Sequence, residues 1–112
     1  MNKNNFSKRK MEHHPAEYGQ YFDRFILGDM YQYPDFNLIY VGSKIHYSPN
    51  IEAPPATADF YLIIDHEGHR QEIKYSDGFG IVMPTKFQVN DQKFLLESSR
   101  EAQEGYHIKK IS

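Results

Sequence analysis

Phe60-Tyr-Leu-Ile-Ile-Asp65 begins the stretch of sequence that decides the expected fold. It is followed by His66-Glu-Gly-His69 and then by Arg70-Gln-Glu-Ile-Lys-Tyr75. The first run is apolar at nearly every position, which is typical of a central strand covered on both faces. The last run alternates between apolar and polar residues, so one of its faces meets water. Asp65 opens the turn between them, and Gly68 supplies the positive φ of a tight hairpin. The sequence therefore predicts a hairpin at the centre of an antiparallel sheet.

Further strands are predicted on both sides of this hairpin. Residues 35–41 form a short run rich in aromatic and β-branched side chains, and residues 106–111 form a last strand. Residues 86–97 read as a second hairpin that turns at Asn90-Asp91. Residues 47–57 are rich in proline, which cannot donate a backbone hydrogen bond, so an exposed loop is expected there. The connections between the predicted strands are short, and short connections favour antiparallel pairing.

Residues 15–27 carry the pattern of an amphipathic helix. Pro15 suits the first helical position, and Gly28 suits a stop in the left-handed conformation. Five apolar residues recur at the helical spacing of three and four: Tyr18, Tyr21, Phe22, Phe25 and Ile26. The predicted fold class is therefore α+β, with an N-terminal helix packed on a mainly antiparallel, curled sheet of about six strands. An all-β sandwich or barrel, with 15–27 as a strand and a turn, is the alternative.

Length, charge and cysteine content limit the class of protein. The 112 residues suffice for one domain, predicted at 15–112 behind a flexible basic tail at 1–14. Thirteen Lys and Arg against fifteen Asp and Glu give a net charge of −2, which argues against a nucleic-acid partner. The absence of cysteine excludes disulfides and thiolate metal sites. No apolar run matches a membrane span or a signal peptide, so a cytoplasmic location is expected.

A metal-dependent hydrolase is one functional alternative. His66 and His69 share one turn with Asp65 and Glu67, and a catalytic zinc would need a third ligand, such as His46 or His107. Turn side chains fan outward, so the preferred interpretation is an exposed polar turn. His13 and His14 lie in the predicted tail, which is a poor preformed site. The sequence contains no nucleophile elbow and no phosphate-binding loop, so no catalytic residue and no cofactor are predicted.

A protein-binding site is predicted within residues 18–40, which contain eight aromatic residues. Tyr31 and Tyr33 fall outside the helical stripe, and tyrosine in a loop offers contact area at low entropic cost. Asp29 and Asp35 flank them and would favour a partner with a basic surface. These four residues are the predicted partner-binding residues.

The favoured function is therefore that of a small, non-enzymatic protein-binding module that inhibits or regulates another macromolecule. Two alternatives stay open beside the hydrolase. Aromatic walls suit a cavity for a small apolar ligand. A short antiparallel sheet also leaves edges through which two copies of the chain could pair as a homodimer.

Overall fold

The computed structural model describes residues 10–46, 57–78, 81–99 and 105–111. Within these residues the chain forms nine β-strands and no helix. In particular, no described segment is a helix of the length and apolarity that a bilayer crossing requires. The strands are β1 (His13–Pro15), β2 (Met30–Gln32), β3 (Asn37–His46), β4 (Thr57–His66), β5 (His69–Gly78), β6 (Ile81–Met83), β7 (Thr85–Val89), β8 (Gln92–Ser99) and β9 (Gly105–Lys110).

The strands form two sheets. The larger sheet has the order β1-β2-β3-β4-β5-β6, and the smaller has the order β7-β8-β9. All neighbouring strands are antiparallel except β1 and β2, which run in parallel. A parallel pair needs a long connection between its strands. Residues 16–29 provide it, and we call them the crossover segment.

The predicted N-terminal helix is wrong, and with it the α+β class; the fold is all-β. The backbone of the crossover segment bonds to β9, and the two bonds within the segment, from Gln20 to Glu17 and from Asp29 to Ile26, each span three residues as in a turn. The amide of Gly19 donates to the carbonyl of Ile108 at 2.8 Å, while Phe22 and Tyr106 exchange two bonds of 2.8 and 2.7 Å. Gly19 also has a φ of 85°, which a right-handed helix does not accommodate.

The apolar spacing that predicted the helix serves a different purpose. Tyr18, Phe22 and Phe25 are half-buried and pack against the core. Tyr21 and Ile26 from the same stripe are each 39% exposed. An irregular segment laid across a sheet can thus present every third or fourth side chain inward, which a periodicity argument cannot distinguish from a helix.

Both predicted hairpins are confirmed. In the β4–β5 turn, Glu67 and Gly68 have φ values of 50° and 84°, and the Gly68 amide donates to the Asp65 carboxylate at 3.1 Å. The β7–β8 turn occupies Asn90 and Asp91, with Asn90 at a φ of 56°. Most of the predicted proline-rich loop and residues 1–9 of the predicted tail lie outside the described residues. His13 and His14, assigned to that tail, belong to β1.

The core lies between the two sheets and is largely aromatic. Phe36 meets Phe87 and Phe94 of the smaller sheet, with ring centroids 5.4 and 5.0 Å apart. Tyr75 of β5 meets Tyr106 of β9 edge to face at 5.4 Å. Edge-to-face pairs add to the stabilisation that comes from burying the rings, so these contacts help to hold the two sheets together.

Gly105 allows the crossover segment to approach β9. Its φ is 94°, and a Cβ at this position would lie 2.7 Å from the carbonyl carbon of Phe22. We therefore expect Gly105→Ala to lower the free energy of unfolding by about 2 kcal/mol or more, from backbone strain and overlap together. Urea denaturation measures this loss.

The matched control for this variant is Gly42→Ala. Gly42 has no positive φ, and nothing lies within 4 Å of a Cβ built there. A Gly105→Ala protein as stable as Gly42→Ala would show that the close approach to Phe22 contributes nothing.

An acid-sensitive contact joins β8 to β9. Glu97 lies opposite His107, and its Oε1 accepts a hydrogen bond from the His107 Nε2 at 2.8 Å. This bond is the main reason that the pKa of Glu97 is lowered, with Lys109 contributing at 3.5 Å. A carboxyl group with a lowered folded pKa stabilises the protein above its unfolded pKa, and this contribution is lost as pH falls through the folded value.

We therefore expect Glu97→Gln to lower the melting temperature at neutral pH. The difference in melting temperature from the unmodified protein should become smaller as the pH falls towards about 3. The control is Glu72→Gln, because Glu72 is an exposed residue of β5, in the larger sheet. Melting curves across this pH range give the comparison. A Glu97→Gln deficit that stays constant in acid would contradict the assignment.

Candidate functional site

A cavity of about 420 Å³ lies between the two sheets and is open to solvent on one side. The larger sheet, the smaller sheet and the crossover segment all contribute to its wall. The lining consists of Arg24, Phe25, Ile26, Leu27, Tyr40, Phe60, Leu62, Tyr75, Leu96 and Tyr106. Nine of these ten side chains are aliphatic or aromatic, so the cavity is an apolar one.

The strands determine which side chains reach the cavity. Along β4, Phe60, Leu62 and Ile64 point to the same face because strand side chains alternate. The register then places Phe60 opposite Tyr75 and Leu62 opposite Ile73 on the neighbouring strand. Leu62, Tyr75 and Leu96 are almost fully buried and form the floor.

The crossover segment forms the mouth. Its residues Ile26 and Leu27 are 39% and 57% exposed, although both are large and apolar. The Asp29 amide donates to the Ile26 carbonyl at 3.0 Å, and Gly28 has a φ of 85°, as a type II turn requires at its third residue.

Two hydrogen bonds hold this turn against the sheet. The Gly28 amide donates to the Tyr40 carbonyl at 2.8 Å. The Ile26 amide donates to the Tyr31 hydroxyl, also at 2.8 Å. The mouth is therefore built into the fold and is not a loose loop lying over the opening.

The two predicted partner-binding tyrosines are buried. Tyr31 is 1% exposed, and its ring is stacked on His14 at 4.7 Å and lies edge-on to Phe22 and Phe25 at 4.9 Å. Tyr33 is stacked on Phe36 at 5.2 Å, and burial raises the pKa of its hydroxyl. As placed, neither ring offers surface to a partner, and their role in binding stays a prediction. Tyr31 instead supports the cavity mouth through Ile26.

The two predicted acidic residues are engaged within the chain. Asp29 is fully buried, and its carboxylate accepts the Glu12 amide at 3.1 Å and faces the Nε2 of His14 at 2.8 Å. Asp35 accepts the Tyr18 hydroxyl at 2.5 Å. Burial first, and this bond second, raise the pKa of Tyr18. An acidic rim made of these two residues stays a prediction.

The histidines of the predicted turn are separated from the other candidate ligands. The Nδ1 of His66 bonds to the Asp35 carbonyl at 2.9 Å, and its Nε2 faces the Asn90 amide at 3.0 Å. His46 bonds to Asp59 at 2.7 Å, and His107 bonds to Glu97. Within the described ranges, His66 and His69 belong to no group of three potential metal ligands. The hydrolase alternative thus gains no third ligand from this geometry.

Sequence reasoning missed one group of potential metal ligands. It consists of Glu12, His14 and Asp29, whose ligand atoms lie within 4.8 Å of one another. The parallel pairing of β1 with β2 brings them together. The Asp29 carboxyl group is already hydrogen-bonded to both neighbours, which satisfies its buried oxygen atoms. The hydrogen bonds of Asp29 thus link β1 to the end of the crossover segment.

We expect Asp29→Ala to lower the free energy of unfolding by about 1–3 kcal/mol, because the Glu12 amide and the His14 ring lose their acceptor. The control is Asp23→Ala, which removes an exposed carboxylate from the same segment. Chemical denaturation compares the two proteins. Equal stabilities would mean that the Asp29 contacts contribute nothing measurable.

Comparison of the chain with protein-family models, with curated protein sequences and with solved structures gave no match. Function is therefore inferred from the cavity itself. The cavity residues were not singled out from the sequence, because they come from five strands and the crossover segment, which are spread along the chain. The one signal that pointed to them was the high aromatic content, 15% of all residues.

Proposed function

We propose that this protein binds a small apolar ligand in the cavity between its two sheets. The observation that carries the proposal is the cavity of about 420 Å³, with nine apolar or aromatic residues among the ten that line it. Ligand sites in proteins typically enclose about 300–1,000 Å³ and combine apolar walls with few polar groups. The cavity matches that description in both size and chemistry.

The physical driving force would be removal of the ligand surface from water, at about 25 cal/mol for each Å² of apolar area. The floor at Leu62 and Leu96 is already buried in the protein. The mouth is held by hydrogen bonds from Ile26 and Gly28. A site arranged in this way before binding loses little conformational entropy when a ligand enters.

A protein-binding module is the second candidate, and one observation favours it. Ile26 and Leu27 expose apolar surface on a well-held turn, and such side chains commonly contact a partner. If the protein acts as a protein-binding module, an apolar side chain of the partner would enter the mouth of the cavity. The proposed contact surface is then Ile26 and Leu27, and not the buried Tyr31 and Tyr33.

The ligand proposal is tested by reducing the cavity. Leu62→Phe enlarges a floor residue, and we expect it to weaken binding of the neutral fluorescent probe N-phenylnaphthylamine by about tenfold, since the probe loses space and apolar contact. Fluorescence titration gives the dissociation constant for each protein. We expect the unmodified protein to bind the probe saturably, in the micromolar range.

The matched control is Ile63→Phe, the same enlargement on the next residue of β4. Ile63 faces the opposite side of the sheet and does not line the cavity. The proposal fails if the unmodified protein does not bind the probe saturably, or if Leu62→Phe, folded by circular dichroism, binds it as well as Ile63→Phe does.

A further inference from the structure

We propose that the ligand is an amphipathic carboxylate, whose apolar body fills the cavity and whose head group is bound by Arg24 at the mouth. This inference rests on the proposed function, because it describes the occupant of the same cavity. It adds a chemical class: an apolar chain that ends in one negative charge, in contrast to a neutral hydrophobic molecule.

The first argument is the distribution of charge in the lining. Arg24 is the one charged residue among the ten that line the cavity. Of the floor residues, Leu62 and Leu96 have wholly apolar side chains, and Tyr75 adds one neutral hydroxyl group. The lining offers a positive charge only at Arg24 beside the mouth, so a ligand with one negatively charged end would be paired there.

The second argument is the state of the Arg24 side chain. Within the described residues, no carboxylate lies within ion-pair distance of its guanidinium group. The side chain is exposed, so pairing with a ligand does not require burial of the charge. A guanidinium group presents parallel N–H donors that match the two oxygens of a carboxylate.

The third argument is the position of Arg24 beside the held turn. It lies two residues before Ile26, whose amide is bonded to the Tyr31 hydroxyl. Phe25, between them, packs on the core through Tyr31 and Tyr106, with ring centroids 4.9 and 5.9 Å apart. The backbone that carries the guanidinium group is thus anchored on its C-terminal side, next to the opening.

The experiment compares decanoate with decanol, which has the same chain length and no charge. Binding is measured by displacement of N-phenylnaphthylamine below the critical micelle concentration of decanoate. We expect the unmodified protein to bind decanoate about threefold to tenfold more tightly than decanol, as for one partly exposed ion pair. Arg24→Gln should abolish this preference and leave decanol binding unchanged.

The matched control is Arg70→Gln. Arg70 is also exposed, it pairs with Asp65 at 3.3 Å, and it does not line the cavity. This variant should therefore keep the full preference for decanoate. Because the same charge is removed from the protein, the control separates a local contact from a general effect of net charge.

The outcomes distinguish this inference from the proposed function. Equal affinities for decanoate and decanol in the unmodified protein would overturn the inference and leave the apolar ligand site in place. Equal weakening of both compounds by Arg24→Gln, or loss of the preference in Arg70→Gln, would overturn it as well. Failure of both compounds to displace the bound probe would count against the proposed function itself.

Discussion

Three backbone hydrogen bonds between the crossover segment and β9 connect the two sheets, and the rest of the structure depends on them. They attach the segment that follows β1, at an edge of the larger sheet, to an edge strand of the smaller sheet. The segment then runs past the gap between the sheets and forms the mouth of the cavity before it returns as β2. The same contacts that hold the fold together thus also shape the candidate site.

These bonds explain why the crossover segment is not a helix. Amides that donate to Ile108 and Tyr106 are not available to donate along the segment itself. Satisfying buried backbone groups on a neighbouring strand removes the advantage of a helix, whose interior Gly19 would cost about 1 kcal/mol relative to alanine. Tertiary pairing outweighs local periodicity here, and Tyr18, Phe22 and Phe25 still pack against the core.

The local features of the fold were predictable from the sequence, whereas the distant contacts were not. The Asp65–Gly68 turn and the Asn90–Asp91 turn depend on residues within a few positions of one another, so their chemistry is visible in the sequence. The parallel pairing of β1 with β2 and the contact of Phe22 with Tyr106 depend on the whole fold.

The same division applies to the candidate site. The aromatic content indicates a large apolar surface, and a cavity for an apolar ligand is one of the alternatives that the sequence leaves open. The arrangement of both sheets decides which aromatic rings belong to the core and which line the cavity. Tyr31 and Tyr33 illustrate this limit, because their position next to Pro34 suggested a surface loop while the fold places both rings inside.

The pairing of Phe22 with Tyr106 has a consequence for how the protein is made. Residues near one end of the described chain complete their hydrogen bonds only with residues near the other. During synthesis the larger sheet can pair its central hairpin early, but the second side of the cavity is missing until β9 has left the ribosome. Until then the apolar floor at Leu62 and Tyr75 lacks its cover from Tyr106.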